Sequence, residues 1–206
     1  MLDAALKSVA RGALRRIVPQ ALVWRHLHRY GDDEIETQLL DLFAPANRDA
    51  IDVGANWGVY ARKLANVCPR VHCFEPNPEL AAILRRTLPR NCRVEQAAVS
   101  ERDGSDTLHL PLDGARIIDG LASLRAPQAG PAAQIAVRTI ALDAYADRPI
   151  GFVKIDVEGA EMSVLAGARA LIARQTPTFL IEIEERHHAG AIDEARRFFE
   201  AIGYQG

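Results

Sequence analysis

The chain has 206 residues, of which 49% are hydrophobic and 25% charged, and its formal net charge is −2. These values are typical of a globular domain and exclude disordered or fibrous chains. The small net charge also disfavours a dedicated nucleic-acid binder. Three cysteines without C-x-x-C spacing predict buried thiols in a reducing compartment. Because no apolar run is long enough to span a bilayer, we expect a cytoplasmic protein without a membrane span.

Residues 1–30 place apolar side chains at helical spacing with basic residues between them, which predicts an amphipathic helix up to Pro19. A second helical stretch is expected from Asp32 to Phe43. We therefore expect a helical lead-in over residues 1–48 and a single cofactor-binding domain over residues 49–206.

From Asp49 onward, short apolar segments alternate with glycine-bearing turns and amphipathic segments. This rhythm is typical of parallel strands joined by crossover helices. Strands are expected at 50–53, 71–74, 93–99, 152–156 and 178–183, with helices around 60–67, 80–88, 162–172 and 192–202. Between 105 and 147 we expect two short strands around an irregular loop at 113–131. The predicted fold is a doubly wound, mostly parallel α/β sheet with helices on both faces.

Two features at the ends of the first two strands together indicate a nucleoside cofactor. Gly54 and Gly58 permit a tight turn and a close backbone approach to a ligand at the start of a helix. Glu75 follows about twenty residues later, at the end of the next strand, where a carboxylate binds both ribose hydroxyls of an adenosine. Ligands of open parallel sheets bind at this edge.

The identity of the cofactor depends on the same loop. A dinucleotide site of the G-x-G-x-x-G type would have glycine at the position of Asn56. The carboxylate of Asp52 would also be unfavourable beside an anionic pyrophosphate. S-adenosylmethionine has no phosphate and carries an ammonium and a sulfonium, so carboxylates favour it. We expect S-adenosylmethionine, with an NAD-type oxidoreductase and a cofactor-binding protein without catalysis as alternatives.

Candidate catalytic carboxylates follow the later strands. Asp156 and Glu158 leave the fourth main strand, and Glu182 stands in an apolar strand, where an unpaired carboxylate is costly. Glu182 should therefore have a partner or face a wet cleft. These three residues are the candidates for the general base and for acceptor contacts. Lys154 either pairs with one of these acids or is structural.

Other polar residues nearby have simpler explanations. Glu161 is as well explained by the first turn of a helix as by a ligand role, and His187 and His188 as well by a solvated turn as by the site. Magnesium is conceivable at the carboxylates, but no second ligand cluster accompanies them. The sequence therefore predicts no metal site.

Seven motifs in order make the chain resemble the FkbM family of S-adenosylmethionine-dependent methyltransferases from about Asp32 to Glu184. They are D-V-G-A-N-x-G at 52–58, F-E-P-N-P at 74–78, A-V-S followed by D-G at 98–104, S-L at 123–124, R-T-x-x-L-D at 138–143, K-I-D-V-E-G-A-E at 154–161 and I-E at 181–182. The resemblance implies a Rossmann-like class I methyltransferase fold. It also implies methyl transfer to oxygen, often to a hydroxyl of a sugar or secondary metabolite.

The resemblance further implies residue roles. Gly54, Asn56 and Gly58 would line the methionine and ribose side, Glu75 would hold the ribose, and Asp156 would face the reacting centre. Asn77 and the turn at 99–100 would lie by the adenine. The expected cofactor-binding residues are Asp52, Gly54, Ala55, Asn56, Gly58, Glu75, Pro76, Asn77, Val99, Ser100 and Asp156.

This fold class normally continues beyond the last helix predicted here with a further strand and its antiparallel partner. Since the sequence ends at Gly206, we expect these C-terminal strands to be missing. Either the sheet is cut short there, or its edge is completed otherwise, for example by a second copy of the chain along the exposed strand. The other partner, expected from the resemblance, is a small-molecule hydroxyl acceptor.

Overall fold

The computed structural model describes residues 35–114, 116–117, 121–127, 130–186 and 189–204. The lead-in helix expected over 1–30, as well as His187 and His188, lies outside these residues. The described chain begins with a 3-10 turn, Ile35–Gln38, and a single α-helical turn, α1, at Leu40–Phe43. A continuous helix up to Phe43 is therefore not observed. Within the described ranges, no helix is both long and apolar enough to cross a membrane.

The remaining elements alternate as the sequence pattern predicts. In chain order they are β1 Asp49–Val53, α2 Val59–Val67, β2 Val71–Phe74, α3 Pro78–Thr87, β3 Cys92–Glu95, β4 Ala98–Val99, β5 Gly104–Asp113, β6 Arg116–Ile117, β7 Ala132–Ile140, a 3-10 turn Leu142–Tyr145, β8 Ile150–Ile155, α4 Glu161–Ala166, α5 Arg169–Gln175, β9 Thr178–Ile181 and α6 Ala191–Ala201. Five strands form a parallel sheet in the order β3-β2-β1-β8-β9. The strand order therefore reverses between β1 and β8, which is the defining feature of a doubly wound sheet.

Helices cover both faces of this sheet, and alternate side chains of each strand enter two separate cores. On one face, Ile51 and Val153 pack with residues of α4, α5 and α6. On the other face, Ala50 and Phe152 pack with residues of α1, α2 and α3. All residues of β1, β2 and β8 are buried, as expected for parallel strands enclosed on both sides. The predicted fold class is confirmed.

A second, smaller sheet is formed by the region between β3 and β8. Its order is β4-β7-β5-β6, with β5 and β7 as a long antiparallel hairpin. The loop bounds expected at 113–131 agree with the ends of these two strands. The strands are longer than expected, however, and the loop is not irregular throughout, since β6 pairs with β5 and Ser123 forms a bridge with His109.

One strand and one helix that we expected to be continuous are each divided into two elements. The strand expected over 93–99 divides into β3 and β4, because Ser100 N–H donates to Ile140 in the second sheet while the carbonyl of Glu95 accepts from Glu75 in the first. The helix expected over 162–172 divides at Gly167. A Cβ atom there would lie 2.2 Å from the carbonyl oxygen of Ser100, so the break seats the helices against the turn after β4.

Candidate active site

A cleft of about 590 Å³ opens at the carboxyl ends of β1, β2 and β8, where the strand order reverses. Leu108 and Leu124 from the second sheet and its loop form the wall opposite the strand ends. Seven of the predicted site residues line the cleft: Gly54, Asn56, Glu75, Pro76, Val99, Asp156 and Glu158.

Six predicted site residues do not line the cleft: Asp52, Ala55, Gly58, Asn77, Ser100 and Glu182. Two of them, Asn77 and Gly58, position the helices next to the cleft. Asn77 caps α3, because its side-chain oxygen accepts from Glu79 N–H at 3.0 Å. A Cβ atom on Gly58 would lie 2.7 Å from Leu84 Cδ2, so this glycine brings the start of α2 against α3. Their contact with a cofactor stays a prediction.

The glycine loop is held in an unusual backbone conformation. Gly54 and Gly58 both have φ of +79°, and Asn56 between them has φ of +47°. These left-handed values favour glycine and, to a lesser degree, asparagine. A Cβ atom on Gly54 would lie only 1.9 Å from the backbone oxygen of Asp156. The first glycine is therefore required by the contact between the loop and the end of β8.

Glu75 joins two loops at the floor of the cleft. Its Oε2 accepts from the backbone N–H of Asn56 at 2.8 Å, and its Oε1 accepts from that of Asn77, also at 2.8 Å. The residue is only 4% exposed. A buried carboxylate that accepts two backbone N–H groups is held in one orientation.

Asn56 presents a second acceptor to the cleft. Its side-chain oxygen is buried and has no hydrogen-bond partner among the residues that the structure describes. Buried polar atoms are nearly always hydrogen-bonded, so an orphan atom in a cleft wall indicates that a ligand donor belongs there.

Beside the cleft lies a smaller acidic pocket of about 170 Å³, lined by Asp156, Glu158, Glu161, Glu182 and Glu184. Asp156 and Glu158 border both spaces. Glu161 accepts from Gly159 N–H at 2.8 Å at the start of α4, which is a structural role. Within the described part of the chain, no three His, Cys, Asp or Glu side chains are grouped to hold a metal ion.

The structure corrects the environment of Glu182. The strand ends at Ile181, so Glu182 follows β9 instead of lying within it, and its side chain is 52% exposed. The expected partner is present, because Lys154 Nζ lies 3.6 Å from Glu182 Oε2 and 3.3 Å from Asp156 Oδ2. Lys154 therefore contacts two of the candidate catalytic acids.

Asp52 lies beneath the cleft and is fully buried. Burial raises its pKa to about 6, against the opposing effects of the Lys154 ammonium and of a hydrogen bond from Ala61 N–H, while Asp156 raises it further. Its Oδ2 has no hydrogen-bond partner within the described residues. Asp52 is therefore a supporting residue with an unusual titration, placed on the α2 face of the sheet beside Lys154.

Ser123 forms a contact between the second sheet and the end of β8, and sequence reasoning did not indicate this role. Its Oγ donates to the backbone oxygen of Glu158 at 2.7 Å and accepts from Arg125 N–H at 3.0 Å. Glu158 has φ of +54°, a left-handed value that is costly for a residue other than glycine. The loop of the second sheet is thus tied to the strained end of β8. The S-L motif marked this residue, but only tertiary contact reveals what it binds.

Comparison with known proteins gives the family. The model of the methyltransferase FkbM domain matches residues 52–205. The chain belongs to this family. Its match begins at Asp52, the first residue of the glycine-loop motif, and includes both sheets.

Two relatives illustrate the range of the similarity. The 2-O-methyltransferase NoeI of Sinorhizobium fredii (strain NBRC 101917 / NGR234) is 28% identical over 163 residues, which are 68% of this chain and 65% of that protein. A solved FkbM methyltransferase of Methylobacillus flagellatus KT matches with a TM-score of 0.53 at 21% identity, over 76% of this chain and 38% of that one. The chain thus spans only part of both proteins, and the second supports the fold alone.

Replacing Glu75 with Ala should weaken binding of S-adenosylmethionine at least tenfold and lower stability by about 1–3 kcal/mol, because two backbone N–H groups lose their acceptor. Calorimetric titration and urea unfolding measure the two effects. Glu101→Ala, in the exposed turn after β4, is the matched control and should change neither. Unchanged affinity in the Glu75→Ala protein would remove this residue from the site.

Replacing Asp52 with Asn should change how stability depends on pH. Because the pKa of Asp52 is about 6 when folded and 3.8 ordinarily, the folded protein retains this proton longer than the unfolded chain. Stability from this group is therefore lost as pH rises from about 4 to about 6, by about 3 kcal/mol. Asp52→Asn should remove that loss.

Urea unfolding between pH 4 and pH 8 tests this linkage, with Asp147→Asn as the control for losing a surface carboxylate. The stability difference between Asp52→Asn and the unmodified protein should grow from about pH 4 to just above pH 6 and then stay constant up to pH 8. Parallel curves for the two proteins would contradict the assignment.

Replacing Ser123 with Ala should release the loop from Glu158 and lower stability by about 1 kcal/mol. Hydrogen exchange measured by mass spectrometry should become faster in the peptide covering 121–127. Ser105→Ala, at an exposed position of β5, is the control. Identical exchange in the Ser123→Ala protein would show that the hydroxyl does not hold the loop.

Proposed function

We propose that the protein is an S-adenosylmethionine-dependent methyltransferase that methylates a hydroxyl group of a small molecule, such as a sugar or secondary metabolite. One observation carries this proposal: the cleft at the strand reversal contains a buried carboxylate and an orphan amide oxygen, and it shares Asp156 with an adjacent acidic pocket. Membership of the FkbM family supports methyl transfer.

The residues of the cleft suit S-adenosylmethionine. Glu75, fixed by two backbone donors, would accept the ribose hydroxyls, and Val99 with Leu108 would face the adenine. The orphan oxygen of Asn56 would accept from a donor of the cofactor. When bound, this cofactor supplies an electrophilic methyl group on a positively charged sulfur, and Asp156 would offset that charge.

The carboxylates where the cleft meets the acidic pocket suit an acceptor with hydroxyl groups that enters through the cleft. These carboxylates would orient the acceptor and take the proton of the reacting hydroxyl. Asp156, Glu158 and Glu182 are the candidates for this proton. Each already faces a cation, Lys154 for Asp156 and Glu182 and Arg186 for Glu158. Orientation of the reacting atoms contributes most to such a displacement, and general base catalysis adds to it.

Methylation of oxygen is the finer part of the proposal. NoeI is a 2-O-methyltransferase, which supports oxygen as the acceptor atom here. Carboxylates accept hydrogen bonds from hydroxyl groups directly.

Calorimetric titration with S-adenosylmethionine, S-adenosylhomocysteine and NAD, in parallel, tests the cofactor. We expect saturable binding of the first two and none of NAD. Binding of NAD alone would favour the oxidoreductase alternative and overturn the proposal.

A panel of sugars and hydroxylated metabolites, assayed for release of S-adenosylhomocysteine, tests the reaction. With an active acceptor, Asp156→Asn should lower turnover about 100-fold or more while changing cofactor affinity far less. Asp193→Asn on the exposed start of α6 is the matched control. Cofactor binding without turnover on the whole panel would support a non-catalytic binding protein.

A further inference from the structure

Lys154 is a charged residue in the middle of a hydrophobic sheet. Its side chain is only 2% exposed, and it stands in β8 opposite Asp52 of β1 and Leu180 of β9. Burying an ammonium, like burying any ion, costs on the order of several kcal/mol unless charged or polar groups surround it. A methionine or leucine would fill this position without that cost, so the charge itself needs an explanation.

The groups that surround the ammonium come from four different segments. Lys154 Nζ lies 3.3 Å from Asp156 Oδ2, just after β8, and 3.6 Å from Glu182 Oε2, just after β9. It also lies 4.5 Å from the ring centre of Tyr60 in α2, within the range of a cation–π contact. Asp52 of β1 interacts with the same charge. The cluster thus contains one cation and three carboxyl groups.

The two carboxylates that Lys154 contacts belong to different spaces. Asp156 borders the cofactor cleft and the acidic pocket, whereas Glu182 borders only the acidic pocket. Both are partly exposed, at 36% and 52% for their side chains. The buried Lys154 ammonium attracts both solvent-facing carboxylates and so holds them near each other, although the two negative charges repel.

We infer that Lys154 is a positioning residue, which holds Asp156 and Glu182 together where the cleft meets the acidic pocket and sets the net charge that a cationic cofactor meets there. This inference rests on the proposed function for its effect on the cofactor. Lys154 lines neither the cleft nor the acidic pocket, so its charge would act on a ligand through the two carboxylates.

The charge argument gives a readout that a merely structural role would not change. S-adenosylmethionine carries a sulfonium that S-adenosylhomocysteine lacks, so the ratio of their affinities reports the charge near the sulfur. In Lys154→Met the carboxylates lose their cation, and the ratio should shift toward S-adenosylmethionine by about five- to thirtyfold. Lys154→Arg keeps the charge and should restore the ratio to within about threefold of the unmodified protein.

Calorimetric titration of each variant with both ligands at pH 7.5 is the experiment. Lys63→Met is the matched control, because Lys63 donates to the Thr37 hydroxyl at 2.6 Å and lines neither the cleft nor the acidic pocket. Equal loss of affinity for both ligands in Lys154→Met would indicate a structural role and overturn the inference. If the unmodified protein binds neither ligand, the proposed function fails, and the next readout tests the position of the charge separately.

That second readout uses the free protein. The Lys154 ammonium lowers the pKa of Asp52, so Lys154→Met should move the Asp52 carboxyl titration, followed by carbon-13 NMR, to a pH above about 6. Lys154→Arg should leave it in place. An unmoved titration in Lys154→Met would overturn the inference. If Lys154→Met does not fold, the Asp52→Asn variant is compared with the Asp52→Asn, Lys154→Met double variant. The quantity compared is the ratio of the affinities for S-adenosylmethionine and S-adenosylhomocysteine. Removing one acid together with the lysine limits the buried charge that is left uncompensated.

Discussion

The contact between the glycine loop and the end of β8 determines the shape of the site. Asp156 N–H donates to the carbonyl of Val53 at 3.1 Å, which extends the pairing of β1 and β8 by one residue. The backbone oxygen of Asp156 then occupies the space where any side chain on Gly54 would lie. Because the two strand ends are this close, the loop turns away from the sheet, and Gly54 and Asn56 line the cleft.

Electrostatics at this edge depends on a small number of buried groups. Glu75 is held by backbone N–H donors, whereas Asp52 has mainly burial and nearby charges to determine its protonation. The two acids therefore behave differently, although both stand at strand ends. Lys154 interacts with Asp52 and also contacts Asp156 and Glu182. A ligand that brings positive charge would meet a region in which carboxylates outnumber cations.

The second sheet explains how the cleft becomes a pocket. A doubly wound sheet alone leaves the strand ends open to solvent, and here the long hairpin of β5 and β7 supplies the opposite wall through Leu108 and the loop that carries Ser123. The hydrogen bond from Ser123 to Glu158 joins this wall to β8. The part of the chain that matches the FkbM domain includes this loop and its S-L motif. NoeI is matched over 65% of its length, and the acceptor is to be identified by experiment.

Much of the fold and part of the site follow from the sequence by itself. Continuous apolar segments separated by glycine turns determine buried parallel strands, since only strands covered on both faces tolerate such runs. The same pattern places Gly54, Glu75 and Asp156 at one edge, because carboxyl ends of parallel strands meet there. The three buried thiols were also correctly predicted. Each of these features depends on residue type and local periodicity.

Only the tertiary structure decided the features that depend on contacts distant in the chain. The break of the strand over 93–99 arises because its second half pairs with β7, more than forty residues later along the chain. The partners of Lys154, the burial of Asp52 and the bond between Ser123 and Glu158 likewise join segments that no local pattern relates. Sequence periodicity records which face of a strand is apolar, whereas the distance between two polar side chains is determined by how the strands and loops pack.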